Sequence, residues 1–372
     1  MEARQRYLLV AAELILLPLL LAFASGEIIC SRRPVQQTLL RYGDTGSKHI
    51  VAWERVRLDY DLGMAVDQGK RIVFVAGSSQ MREGFDAADV RDHLGRDDMT
   101  VVNASGSAFG PIDLLSLQDL WVPLRPALLV YSPHPFFLSD WEWPFQDQRY
   151  HWNVERRYHT DRFVWQDREQ QYTAWLNSQW RWALYRRTAV AAMNRQIGAA
   201  LRGTFPRINR MARFNARPVS DEMLRTSQDY RQEYLKNPYS ELRRWADPEN
   251  FTFPTQASQA LEEVLDLCAE AHIPCLLVES PHHPDTGAFF EDNTWAAYKA
   301  ELHRLSEHPA VVKLVEMDAY PDISRLYVNN FLHARDARPI LAPYFAAWIN
   351  EALSTAEGVI PERYPGNSST PR

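Results

Sequence analysis

The chain has 372 residues, room for one large domain or two ordinary ones, and its composition, 46% apolar and 24% charged, is that of a globular protein. A net charge of −6 excludes a molecule drawn as a whole to nucleic acid or anionic lipid. The three cysteines, Cys30, Cys268 and Cys275, have no metal-binding spacing.

The first predicted element is an anchor. YLLVAAELILLPLLLAFASGEII, beginning at Tyr7, approaches the roughly 20 apolar residues that cross a bilayer. Arg4 and Arg6 precede it, as at a cytoplasmic end, while Arg32 and Arg33 on the far side reduce the bias. AFAS offers a small-residue cleavage site after Ala24. Residues 1–30 therefore read as a retained transmembrane helix or as a removed signal peptide, and both export the remainder. Glu13 inside the run is either a partner contact or a carboxylate that reaches water from a short depth.

Residues 31–69 read as a polar, mostly helical stalk. Five nearly continuous apolar runs follow: RIVFVA (71–76), MTVVN (99–103), ALLVYS (127–132), IPCLLVE (273–279) and VVKLVEM (311–317). That is the pattern of parallel strands buried on both faces. Helical patterns separate several of them. LEEVLDLCAEAH puts Leu261, Val264, Leu265 and Cys268 on one face, and Leu341, Tyr344, Phe345 and Trp348 are expected to do the same near the end. The alternation predicts an α/β fold with a doubly wound, flavodoxin-like, mostly parallel sheet built from residues 70–135 and 256–358. Cys268 and Cys275 read as small buried hydrophobes or as a disulfide. Residues 359–372 read as a disordered tail.

Between the third and fourth strands lies an insertion, residues 136–255, predicted to be helical and holding eight of the twelve tryptophans. From Gln170 to Ser220 it has nine arginines and no acidic residue, a local basic field in a net-negative chain. Interleaved aromatics and arginines fit a membrane surface, a membrane partner or a groove for glycan. The alternative is a helical cap whose arginines pair with acids elsewhere in the fold.

Ligands of open α/β sheets bind beyond the carboxyl ends of the strands. There the chain places Gly77-Ser78-Ser79, then Asn103-Ala104-Ser105-Gly106-Ser107, then SPHPFF with His134, then ESPHHPD with His282 and His283. A late NNFLHARDARP brings His333 just ahead of the last helix. A serine, histidines and glycine-containing turns with free N–H groups are the parts of an acyl-transfer site. No carboxylate or cysteine joins the histidines at metal-ligand spacing.

GSSQMREGFD (77–86), NASGSAFGPID (103–113) and NFLH (330–333), in that order, resemble the SGNH (GDSL-type) hydrolase superfamily. Within it the chain is similar to membrane-anchored proteins of envelope polysaccharide modification, such as the D-alanyl transfer protein and accessory proteins of polysaccharide O-acetylation. The resemblance covers about 70–125 and 270–355 and leaves the aromatic insertion outside. It implies Ser79 as nucleophile, with its own N–H as one oxyanion donor, and His333 as base. The block from Asn103 to Gly110 would supply a second donor, the family glycine aligning with Ala108 and Gly106 lying two residues away. Asn330 stands where the family has an aspartate, and the asparagine that usually ends the third block is absent, with His134 as the substitute donor. His282 would line the cleft. No cofactor is implied.

The expected function is therefore acyl-ester hydrolysis or O-acyl transfer on an extracytoplasmic polysaccharide. The chain would be held in the inner membrane with its main domain in the periplasm or outside the cell. Membrane lipid and a membrane-bound O-acyltransferase are the expected partners, and nucleic acid is not. Asn330 and the missing asparagine favour an alternative, a catalytically silent scaffold that binds glycan or that acyltransferase, while the Gly-x-Ser turn and His333 favour the enzyme.

Overall fold

All five apolar runs form strands in the computed structural model, which describes residues 21, 24–42, 50–106, 109–115, 117–139, 180–203, 248–282, 286–287, 290–323 and 337–359. In chain order the elements are α1 (Arg33–Tyr42), α2 (Ile50–Asp67), β1 (Arg71–Gly77), α3 (Ser79–Gly84), α4 (Ala87–Leu94), β2 (Met99–Asn103), α5 (Pro111–Leu115) and α6 (Gln118–Trp121). Then come β3 (Leu128–Ser132), α7 (Pro135–Leu138), α8 (Arg181–Leu201), α9 (Gln256–Ala271), β4 (Cys275–Val278), α10 (Asp292–Ser306), β5 (Val311–Val315) and α11 (Arg338–Val359).

The strands pair in parallel in the order β2-β1-β3-β4-β5, with Val73 opposite both Val101 and Leu128. β3 and β4 are buried along their whole length, and β1 from Ile72 onward, which is why these runs carry no polar alternation. Strand side chains alternate between faces. Val73, Val75, Leu128, Val130, Leu276 and Val278 pack with Val90 and Leu94 of α4 and with Leu341, Phe345, Ile349 and Leu353 of α11. On the other face Phe74 stacks on Trp121 of α6 at 5.8 Å, and α9 packs against α5. The sheet thus has helices on both sides.

Leu261, Val264, Leu265 and Cys268 of α9 are buried as the spacing predicts. Cys268 and Cys275 are neighbouring free thiols; burial, with the Cys268 thiol beside it, pushes the pKa of Cys275 up. Tyr344 departs from expectation and is 40% exposed. The buried stripe of α11 is turned towards the small Ala342 and Ala346, which leaves Tyr344 at its margin against Trp348.

The chain divides into two compact units, Met1–Met64 with Phe145–Phe214, and Ala65–Pro144 with Asn215–Arg372. The second holds the sheet. In the first, Cys30, Leu40, Val56 and Tyr185 form a small core between the predicted stalk, helical as α1 and α2, and α8 of the insertion. Tyr185 donates to Asp59 at 3.0 Å, and the Glu27 carboxylate accepts the first N–H groups of α8, from Arg181 at 3.2 Å and Trp182 at 2.9 Å. Such a carboxylate at a helix start satisfies donors that have no partner inside the helix. Among the described residues no helix is long and apolar enough to cross a membrane. Residues 1–20 of the predicted anchor, most of the insertion and residues 360–372 lie outside the described residues.

Candidate active site

The site begins with a turn that only glycine allows. A Cβ on Gly77 would lie 2.8 Å from the Cβ of Ser132 and 2.9 Å from that of Met81, and neither of those atoms can swing away. The chain leaves β1 through an extended Ser78 (φ −77, ψ −170) and enters α3 at Ser79. The two serines are not equivalent. Ser78 is buried and donates to Oε1 of the buried Gln80. Ser79 is half-buried, and among the described residues its hydroxyl has the same Gln80 oxygen as partner, at a long 3.4 Å. A bond of that length holds the hydroxyl weakly. As the first residue of a helix, Ser79 has an N–H without an intrahelical acceptor.

The loop after β2 is fastened to this turn. Ala104 N–H donates to the Val75 carbonyl at 2.7 Å, extending the ladder, and Gly106 N–H donates to the Gly77 carbonyl at 3.1 Å. Asn103 accepts from Ser105 N–H at 2.9 Å, a local turn made by its own side chain. Asn103 and Gly106 therefore position the loop, and the Gly106 N–H is already engaged. The second donor implied by the resemblance falls to Ala108, which lies outside the described residues. The loop closes where Gly110 N–H donates to the buried Asp113 at 2.5 Å.

At the end of β3, His134 is fully buried, and its Nδ1 accepts the Phe136 N–H at 3.3 Å, capping α7. An accepting Nδ1 places the ring proton of the neutral imidazole on Nε2. Ser132 and Ser280 join the ends of β3 and β4 through a 2.9 Å hydroxyl contact, and Ser280 N–H donates to the Pro133 carbonyl at 2.8 Å. His282, on the loop after β4, donates from Nδ1 to the Ser280 carbonyl at 2.7 Å, which leaves its lone pair on Nε2. The His134 and His282 rings meet edge-on at 5.7 Å. Burial lowers the pKa of His282 against an opposing pull from Glu279, so the ring is neutral at pH 7.

Glu279, fully buried between β4 and this loop, holds the loop from behind. Its carboxylate takes Lys299 Nζ at 2.7 Å, the Tyr298 hydroxyl at 3.2 Å and Met317 N–H at 3.0 Å, while its carbonyl takes the Tyr320 hydroxyl at 2.7 Å. Burial works against the charge on Lys299, and Glu279 and Glu316 together outweigh it, so its pKa is raised. Sequence reading passed over Glu279 and Gln80. A carboxylate ending the apolar run IPCLLVE was the one available signal for Glu279; nothing marked Gln80.

The structure thus brings Ser79, Asn103, Gly106, His134 and His282 to the carboxyl edge of four adjacent strands. Asn330 and His333 lie outside the described residues. The described residues continue from Ala337, and Arg338 donates from Nε to the Glu83 carbonyl at 2.7 Å and from its terminal nitrogen to the Arg82 carbonyl at 3.2 Å. The start of α11 is thereby attached to the end of the helix that Ser79 begins. Pro281 closes on the same helix, since a Cβ on Gly84 would meet its Cγ at 3.0 Å. Among the described residues no group of three His, Cys, Asp or Glu side chains could hold a metal ion. In comparisons with known proteins the chain matches no family model and no curated sequence.

Proposed function

We propose that the chain is a membrane-anchored serine esterase or O-acyltransferase of the SGNH type, acting on an acyl-ester substrate that is an extracytoplasmic polysaccharide. The observation that carries this reading is Ser79. It is a half-buried serine on the first turn of a helix, just past the β1 edge where the strand order reverses between β2 and β3. Ser79 Oγ attacks the acyl carbonyl while His333 takes its proton. The N–H groups of Ser79 and Ala108 face the developing oxyanion, and the leaving oxygen recovers the proton from His333. A sugar hydroxyl or water, deprotonated by the same imidazole, then attacks the acyl carbon, the bond to Ser79 Oγ breaks, and Oγ takes the proton back from His333. Asn330 orients His333 without lending it charge. Acetyl is the acyl group the resemblance favours. The reading includes an inner-membrane anchor at residues 7–29 and an exported main domain.

A second reading, a silent scaffold for glycan or for a membrane-bound O-acyltransferase, draws on the third block. There His134 caps α7, and Phe136, Phe137 and Leu138 are buried where the family carries its asparagine. Hydrolysis of p-nitrophenyl acetate by the full chain separates the two. The enzyme reading expects turnover that is lost in Ser79→Ala and His333→Ala. It also expects a gain of about tenfold or more in Asn330→Asp, where a carboxylate fixes the imidazole tautomer and stabilises the imidazolium. Absence of Ser79-dependent turnover, with Asn330→Asp only lowering the melting temperature, supports the scaffold.

A further inference from the structure

α8 carries apolar residues on two opposite sides. Tyr185, Ala192 and Ala199 recur every seventh position and are buried. Val190, Met193, Ile197 and Leu201, spaced by three and four residues along another side, are 51%, 57%, 57% and 83% exposed. At 1.5 Å per residue this stripe runs for roughly 16 Å. Isolated apolar residues are ordinary on a protein surface; an unbroken row of four on one helix marks a contact.

Two further observations identify what it contacts. The first is charge. The helix has Arg181, Arg186, Arg187 and Arg195, Arg202 follows it, and no acid occurs between Gln170 and Ser220. The side chains of α8 itself carry only positive charge, Arg181 also pairing with Asp59 at 3.7 Å, and an apolar stripe on such a helix suits the headgroup boundary of an anionic bilayer. The second is attachment. The Glu27 carboxylate caps the first turn of α8, and Gly26 lies so close to Trp182 that a Cβ would fall 2.0 Å from the indole. Gly26 and Glu27 are at the end of the apolar run from Tyr7 to Ile29, whose Leu21, Ile28 and Ile29 are 59%, 60% and 53% exposed. A helix that starts where an anchor leaves the hydrocarbon starts at the membrane surface.

We propose that α8 lies along the bilayer as an interfacial helix, with Val190, Met193, Ile197 and Leu201 in the acyl boundary of a membrane with anionic headgroups. This rests on residues 7–29 being a retained anchor, and the test separates the two claims. The full chain is reconstituted in nanodiscs of phosphatidylcholine and phosphatidylglycerol with single spin labels at Ala12→Cys, Gln196→Cys or Ile197→Cys. The three native cysteines are buried, which directs the label to the new site. Collision rates with oxygen and with a water-soluble nickel chelate are measured at each position. The expected result is a several-fold higher oxygen-to-nickel ratio at positions 12 and 197 than at the exposed position 196. A lipid-like label at 12 with a label at 197 as open to nickel as that at 196 overturns the inference and leaves the anchor standing. A label at 12 open to nickel removes the anchor and the inference together. A label at 197 closed to both reagents, with spin–spin coupling between chains, assigns the stripe to a second copy and also overturns it.

Discussion

His134 and His282 are both buried at the strand ends, and their hydrogen bonds fix opposite tautomers. One keeps its ring proton on Nε2; the other keeps its lone pair there. The difference follows from local backbone geometry, an N–H presented by Phe136 in one case and a carbonyl presented by Ser280 in the other. It has a consequence for stability. Unfolded His282 takes up a proton near the ordinary histidine value of about 6.5, whereas folded His282 does so at lower pH. As pH falls the unfolded state binds the proton first, so stability is lost from about 6.5 down towards the folded value. His282→Asn keeps a donor for the Ser280 carbonyl and has nothing to titrate. Melting temperatures measured between pH 7.5 and 4.5 should fall less steeply for this variant than for the wild type. Parallel curves would show that His282 is not a buried neutral ring.

At the scale of elements, the turn from β1 into α3 is the feature on which the others converge. Gly77 touches Ser132 of β3 and Met81 of α3, its carbonyl holds Gly106, and Arg338 and Pro281 close on the far end of the same short helix. Gly77→Ala forces a methyl group against two Cβ atoms. It should cost about 1–3 kcal/mol as an overpacked position, seen as a lower urea midpoint at unchanged slope, and should displace Ser79 enough to slow acyl turnover. A variant with wild-type stability and turnover would mean that the turn is looser than described. The strands around this turn were legible because each is a continuous apolar run, and the parallel α/β architecture followed from strands alternating with helices. The serine turn was legible because the apolar run stops at Gly77 and two serines follow. Glu279 was not, because its partners Tyr298, Lys299 and Met317 lie about twenty to forty residues away and meet it only once β4, β5 and α10 have packed. Tyr344 was misjudged because helical spacing gives the width of an apolar stripe but not where the small residues centre it. The engagement of Gly106 N–H by Gly77 was likewise invisible, since backbone pairing between two loops leaves no mark in side-chain identity.

At the scale of the whole molecule, the two proposed roles fall on different compact units. The helical unit of α1, α2 and α8 carries the exposed apolar stripe and the arginines that suit a membrane surface. The α/β unit gathers the strand-end loops that suit acyl chemistry. The central claim, that Ser79 is the nucleophile, is tested most directly by treating the 372-residue chain with a fluorophosphonate and mapping the modified peptide. The account predicts a single phosphonylated serine at Ser79, absent in Ser79→Ala and retained in Ser78→Ala, whose hydroxyl is buried against Gln80. Equal labelling of wild type and Ser79→Ala, or no labelling of either, would contradict it.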